Sequence, residues 1–181
     1  MAFNSTIISK KRKLACGCFD YAFSKNRCKQ HATIESTNKR IEKYEEGIEQ
    51  ESRKNLIEDL DIYFSRYIRI KHSDREGYVK CFTSGRRMRW EELQCGHYIS
   101  RSHLSTRWLD LNCRPQSEYD NCALSGNLEV FKRKLDEERS GTSDYLLELS
   151  REVSKPSLED LKQLLIEIKY KLKIAQSKFK K

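Results

Sequence analysis

The sequence predicts an α+β fold, in which helices flank a small core of short strands and a compact Cys/His module comes first. Three observations carry this. Apolar residues recur at helical spacing over Lys54–Lys71 and again from Leu158 to Phe179. Between them lies a turn-rich segment with strand signals at Tyr78–Thr83 and Gly96–Ile99. Ahead of both, four ligand-type residues fall between Cys16 and His31.

Composition bounds what such a chain can do. Of 181 residues, 36 are Lys or Arg and 27 Asp or Glu, a formal charge of +9, which calls for a polyanionic partner. A hydrophobic content of 37% with mean hydropathy −0.83 supports one modest core and argues against a large multilayered enzyme. No window approaches the roughly 18 consecutive apolar residues of a membrane span. The opening MAFNSTIISKKRKLACG places its basic run after a short apolar stretch, the reverse of a secretory signal, so the reading is a soluble cytoplasmic protein. The charge is also patterned: basic blocks at Met1–His31, Tyr78–Lys134 and Lys155–Lys181 alternate with acidic stretches at Glu35–Gly77 and Leu135–Ser154. Solvated surface is the plain alternative to a binding role.

In the first element, Cys16 and Cys18 form C-x-C and Cys28 and His31 form C-x-x-H across a nine-residue loop. Zinc takes four tetrahedral sulfur or nitrogen ligands, and two short-spaced pairs supply them without a large core, so a structural Zn²⁺ site is expected. Gly17 allows the tight reversal between ligands. Lys10, Lys11, Arg12, Lys13, Lys25, Arg27 and Lys29 would give this module a basic face. From Thr33 to about Gln50 the pattern is a thinly apolar helix or linker, with Ile34, Ile41, Tyr44 and Ile48 at helical spacing. Leu56, Ile57, Leu60, Phe64, Tyr67 and Ile68 then form the wide stripe of a second helix over Lys54–Lys71, ended by HSDREG.

The central segment reads as a short strand over Tyr78–Thr83, a strand pair around Gly96–Ile99, a loop of Arg and Ser, a strand or turn through Arg107–Cys113, and a helix from about Glu118 to Leu135. A histidine near a strand end, an asparagine in the following loop and another at a helix start suit metal-assisted phosphodiester hydrolysis. The imidazole takes a proton from water while a divalent cation stabilises phosphate charge. Arg86, Arg87, Arg89, Arg101, Arg107 and Arg114 carry planar forks that grip phosphate through paired hydrogen bonds. His103 is a second candidate base or ligand, and Asn127 after Gly126 suits a turn as well as a metal.

The segments FSRYIR (Phe64–Arg69), CFTSGRR (Cys81–Arg87), CGHYISR (Cys95–Arg101), STRW (Ser105–Trp108), the Asn112 region, and DN followed by SGN (Asp120–Asn127) resemble the bacteriophage NinG family. This is the family of the Rap recombination endonuclease, within the HNH or His-Me finger nucleases. The likeness covers about Leu56–Gly141, and the cysteine cluster also looks like the family's N-terminal metal module. The resemblance implies a ββα-metal finger, a DNA endonuclease, catalytic Mg²⁺ or Mn²⁺, and branched DNA of phage recombination (Holliday junctions, D-loops) as substrate, in a bacterial host or prophage carrier. His97 then matches the general base, Asn112 the middle asparagine that holds the loop and orients the histidine, and Asn121 the position that helps hold the catalytic metal. Arg86, Arg87, Arg101, Arg107 and Arg114 are the expected DNA contacts. A zinc-containing DNA-binding accessory protein that no longer cuts is the alternative.

The chain departs from its relatives at two places. Where they commonly carry C-x-x-C, it has Cys81-Phe-Thr-Ser84 and Ser117-Glu-Tyr-Asp120, so packing rather than a second zinc is expected to hold the finger. A rearranged cage of Cys81, Cys95, Cys113 and Cys122 has the right ligand number but not ligand-pair spacings. Gly96 stands where many HNH proteins have an acidic or histidine ligand, leaving Asp110, Glu118 and Asp120 as candidate carboxylates.

Beyond Pro156, Ser157 is an N-cap with Asp160 three residues on. Leu158, Leu161, Leu165, Ile168, Leu172, Ala175 and Phe179 then follow in steps of 3 and 4, the seam of a helix that packs against another. The partner is either a second copy, giving a homodimer, or the long helix before the finger. The organisation expected is a basic zinc-knuckle-like module at 1–33, a helical connector at 34–77, the nuclease core at 78–141 and a C-terminal basic amphipathic helix at 142–181.

Overall fold

A computed structural model describes residues 12–15, 17–20 and 28–179. The chain divides into two compact units, residues 1–51 and 52–181. Among the described residues, long helices and two- to four-residue strands give a helix-rich α+β composition, and no helix is long and apolar enough to cross a membrane.

In the first unit, β1 (Arg12–Lys13) pairs antiparallel with β2 (Phe19–Asp20). Their turn is closed by Gly17 N–H donating to the Leu14 carbonyl at 2.8 Å, with Gly17 at φ +84°. Helix α1 (Lys29–Lys71) begins here and continues into the second unit. The expected connector and second helix are therefore one helix of 43 residues. Its N-terminal half keeps Ile34, Ile41, Tyr44 and Ile48 exposed, as the thin apolar pattern implies.

The core of the second unit lies where the stripe of α1 meets helix α4 (Leu158–Gln176). Leu60, Phe64, Tyr67 and Ile68 are buried with Leu161, Leu165, Ile168 and Leu172 in one cluster. Ser157 caps α4 as predicted: its hydroxyl accepts from Asp160 N–H at 3.1 Å while the Asp160 carboxylate accepts from Ser157 N–H at 2.8 Å. Of the two partners open for the seam of α4, the structure has this chain's own α1 against it, which leaves those residues unavailable to a second copy. Burying those leucines once removes the apolar area that would drive a second helix to dock.

Lys178, in the basic block at the end of the chain, closes the end of α1. Its Nζ donates to the carbonyls of Ile70 at 2.6 Å, Lys71 at 3.2 Å and Ser73 at 2.8 Å. Ile70 and Lys71 belong to the last turn of α1 and Ser73 follows it, and a cation suits that end of the helix dipole. Lys178→Met is expected to destabilise the protein by about 1–2 kcal/mol in urea unfolding, with Lys178→Arg recovering part of the loss.

Two hairpins sit beside this helix pair. Strands β3 (Tyr78–Lys80) and β4 (Arg87–Arg89) pair with Val79 opposite Met88. Strands β5 (Gln94–His97) and β6 (Cys113–Gln116) pair with His97 opposite Cys113 and Gly96 opposite Arg114. The first strand of the second hairpin begins and ends about two residues before its sequence-predicted position, and of the strand or turn expected through Arg107–Cys113 the structure has the turn, with 3₁₀ geometry at Asp110–Asn112 and β6 starting at Cys113. A π turn (Tyr119–Ala123) and helix α2 (Leu128–Glu138) follow. The single helix expected from Glu118 to Leu135 is broken because Ser125 and Asn127 take left-handed φ values of 49° and 48°. Helix α3 (Thr142–Ser150) packs on α2: Leu146, Phe131, Leu135 and Ile99 form a second core cluster beneath the β5–β6 loop.

Candidate active site

The loop between β5 and β6 is organised by Asn112, which is wholly buried. Its Oδ1 accepts from Ile99 N–H at 2.7 Å, and its Nδ2 donates to the Ile99 and Thr106 carbonyls, each at 3.0 Å. Its own carbonyl accepts from Tyr98 N–H at 2.9 Å. One amide therefore pins both the start and the middle of the loop immediately after His97.

His97 ends β5 on the hairpin face that turns toward α1. One ring nitrogen, Nδ1, lies 3.1 Å from the Cys95 carbonyl, and the other, Nε2, lies 3.1 Å from the Arg107 carbonyl. Burial, and then the charge of Arg101, lower the imidazole pKa below its ordinary value. A neutral ring has a single N–H and donates to one carbonyl only, leaving a lone pair at the other nitrogen. A general base acts through such a lone pair, and at His97 it faces a backbone carbonyl oxygen at 3.1 Å, so that contact must open before the nitrogen can meet water.

His97 and Asn121 line a cleft of about 460 Å³ together with Asp61, Ser65, Arg69 and Arg101. Asn121 lies in the π turn rather than inside a helix, and its Nδ2 donates to Gln94 Oε1 at 2.7 Å. That bond orients the amide, with Oδ1 at its other end. None of the sequence's candidate carboxylates lines this cleft. Asp110 accepts from Tyr67 Oη at 2.8 Å and Lys71 Nζ at 2.7 Å, Glu118 is exposed, and Asp120 is buried elsewhere.

The carboxylate that does line the cleft is Asp61 of α1, which sequence reasoning missed. It accepts from Arg107 Nε at 3.0 Å and Nη2 at 2.5 Å, and from Trp108 Nε1 at 2.9 Å. Burial pushes its carboxyl up, but these hydrogen bonds outweigh burial and hold it below the usual range. Its sequence signal was an acid one position from Leu60 in the buried stripe of a helix.

The expected phosphate-binding arginines divide. Arg101 is exposed at the cleft and Arg86 is exposed on the first hairpin. Arg87 is exposed but pairs with Asp74 at 2.8 Å, and lies over the Tyr78 ring. Arg107 and Arg114 are turned inward: Arg107 grips Asp61 and the Arg101 carbonyl, and Arg114 binds Glu138 at 2.5 Å with the Asp110 and Cys113 carbonyls. These two hold the loop and hairpin and do not present free forks to DNA. His103, the second candidate base, has Nδ1 3.0 Å from the Ser150 carbonyl and lies outside the cleft.

At the two segments that depart from the C-x-x-C pattern a hydrogen-bonded knot forms. Ser117 N–H donates to Cys81 Sγ at 3.2 Å, the Cys81 thiol donates to Asp120 Oδ2 at 3.4 Å, Ser117 Oγ donates to the same oxygen at 2.5 Å, and Asn127 Nδ2 donates to Asp120 Oδ1 at 3.1 Å. Asn127 thus serves the turn and Asp120. Cys122 sits apart, its thiol donating to Gln94 Oε1 at 3.4 Å, so Cys81, Cys95, Cys113 and Cys122 do not form one cage. Burial raises the Asp120 carboxyl, but hydrogen bonds from Ser117, Asn127, Cys81 and Ser84 prevail and bring it down to about 2. An acid whose folded value lies below its unfolded value of about 3.9 stabilises the fold above that value and loses the contribution as pH falls toward 2. The unfolding midpoint should therefore fall between pH 4 and pH 2, and Asp120→Asn should flatten that part of the curve.

In the first unit, Cys18 Sγ lies 3.4 Å and Cys28 Sγ 3.1 Å from His31 Nδ1, and these three residues form a group able to hold a metal ion. Separations of this order match the edges of a zinc tetrahedron, about 3.5 Å between sulfur and nitrogen for bonds near 2.3 and 2.0 Å. Cys16, the fourth expected ligand, lies outside the described residues, as do the side chains of the basic residues from Lys10 to Arg27.

Against known proteins, the family described as bacteriophage lambda NinG protein matches residues 5–178. No curated protein and no solved structure matches.

Proposed function

Because the chain belongs to the bacteriophage lambda NinG family, we propose that it is a metal-dependent, structure-specific DNA endonuclease of phage recombination, hydrolysing phosphodiester bonds in branched DNA such as Holliday junctions and D-loops. The observation that carries the reading is the meeting of His97 and Asn121 in one cleft, with the loop that follows His97 pinned by Asn112. The strand–loop–strand–helix order of β5, β6 and α2 suits the ββα-metal finger of the HNH nucleases.

In this reading His97 accepts the proton of the attacking water, and Asn112 keeps the backbone beside it fixed through the reaction. Arg101, exposed at the cleft mouth, meets the phosphate. Asn121 Oδ1 and the Asp61 carboxylate are the oxygens that would hold Mg²⁺ or Mn²⁺, with phosphate and water completing a shell that Mg²⁺ normally leaves partly hydrated. When bound, the cation stabilises charge on the phosphate and the leaving oxygen. The N-terminal Cys/His group would hold a structural Zn²⁺ and the basic residues around it would add affinity for the DNA backbone.

The test is a labelled four-way junction with Mg²⁺ or Mn²⁺. Wild type should cleave only with metal, and His97→Ala should abolish cutting by at least about 10²-fold while binding is kept. The acidic limb of the rate profile should lie below the ordinary imidazole value, as burial and Arg101 require. Retained binding without cleavage by wild type would support the second reading, a non-catalytic recombination accessory protein. One observation favours that alternative: the only cleft carboxylate among the described residues, Asp61, is already engaged by Arg107 and Trp108.

A further inference from the structure

The face of the β5–β6 hairpin that carries His97 carries two more soft ligands. Strand alternation puts Cys95 and His97 on one face, and the register sets Cys113 opposite His97. The thiols of Cys95 and Cys113 and one ring nitrogen of His97 all lie within 4.8 Å of one another. A fourth donor is present: the Arg107 carbonyl oxygen is 3.1 Å from His97 Nε2 and 3.8 Å from Cys113 Sγ. Bonds of about 2.0 Å to nitrogen and about 2.3 Å to sulfur give tetrahedral edges of about 3.3–3.8 Å, so atoms within 4.8 Å of one another draw together by about 1 Å to close on one ion.

We propose that Cys95, His97 and Cys113 form a second site for a thiophilic cation of the Zn²⁺ class, separate from the N-terminal group, with the Arg107 carbonyl or a water from the cleft as fourth ligand. Binding is redox-neutral: the two thiols release their protons to solvent and the neutral imidazole gives its lone pair. The environment favours such an ion over Mg²⁺, because two sulfurs and one nitrogen are soft donors whereas Mg²⁺ requires oxygens. Both cysteines are buried, at 8% and 0% exposure, but Cys95 and His97 line the cleft and provide the way in.

The consequence rests on the endonuclease reading, whereas the binding does not. A lone pair bound to zinc cannot take a proton from water, so the ion would switch off the general base while leaving the Asn121 and Asp61 oxygens untouched. Zinc would then act twice in this chain, as a staple in the first unit and as a brake in the second.

The test counts zinc per chain after equilibration of the full-length protein against buffered zinc, for wild type, Cys18→Ser/Cys28→Ser, Cys95→Ala and His97→Ala. Circular dichroism establishes that each variant is folded. Cys95→Ala and His97→Ala are each expected to hold one zinc fewer than wild type. The Cys18→Ser/Cys28→Ser protein loaded with Co²⁺ should keep a thiolate-to-cobalt absorption band, a readout that leaves the proposed ligands intact even if Cys95→Ala fails to fold. Equal zinc in wild type and the folded His97→Ala variant, or no such band, would overturn the proposal. In junction cleavage at fixed Mg²⁺, the ratio of rates with and without zinc should fall at least tenfold for wild type and stay near one for Cys95→Ala. A wild type that never cleaves defeats the nuclease reading and leaves the zinc count to decide the site.

Discussion

Replacing Asn112 by Ala is expected to destabilise the second unit by about 3–4 kcal/mol. The residue has no exposure, and its amide makes three hydrogen bonds, so truncation orphans Ile99 N–H and the Ile99 and Thr106 carbonyls together. Buried backbone groups left without partners cost more than the bonds themselves contribute, and a methyl group offers none of them anything. Asn112→Asp is the informative companion. Its carboxylate still accepts from Ile99 N–H, but its second oxygen faces two carbonyl oxygens with no proton to share, so it should be no better than Ala at neutral pH. Urea unfolding followed by tryptophan fluorescence reads both changes, since Trp108 lies in the pinned loop. A loss below about 1 kcal/mol for the Ala variant would mean that the loop holds its shape without this amide, and the idea that Asn112 positions His97 would go with it.

How much of this was legible beforehand depends on whether a feature is local or set by distant partners. The N-cap of α4 and its seam are written in consecutive residues, Ser157, Asp160 and the 3–4 spacing of leucines, and they appear where expected. What covers the seam is not written there, because an apolar face specifies only that something must lie against it. Cys95 and Cys113 are 18 residues apart, a spacing unlike any ligand pair, yet the antiparallel register makes them near neighbours on one face. Asp61 reads as an ordinary helical acid until Arg107 and Trp108, 46 and 47 residues on, close around it. The break between Asn121 and α2 is signalled by Ser125-Gly126-Asn127, whose residue types tolerate left-handed backbone, although the sequence reads as one helix from about Glu118 to Leu135. The roles of Arg107 and Arg114 reversed for the same reason: a basic residue looks outward in sequence until its acidic partner is located.

Gly96→Ala should be comparably disruptive, by about 3 kcal/mol or more, and it bears directly on the missing carboxylate before His97. A Cβ at Gly96 would lie 1.9 Å from Gln116 Oε1, 2.5 Å from its Cδ and 2.8 Å from its Cγ. Gln116 cannot swing aside cheaply. It is fully buried, and its Nε2 donates to the Gly126 carbonyl at 2.8 Å and to Thr83 Oγ1 at 3.1 Å, tying β6 to the turn before α2 and to the first hairpin. Any side chain at position 96 must therefore evict Gln116 and orphan those partners. An acidic residue there is excluded by packing, and Gly96→Asp is expected to unfold the hairpin rather than supply a metal ligand. The double variant Gly96→Ala/Gln116→Ala separates clash from backbone effects. If eviction is the cause, the double variant should be no less stable than Gly96→Ala alone, a strongly non-additive result in urea unfolding. Additive losses would place the cost in the strand itself. The same packing explains why the cleft draws its carboxylate from α1: with position 96 filled by a neighbour's side chain, Asp61 is the acid that the second unit still brings to His97.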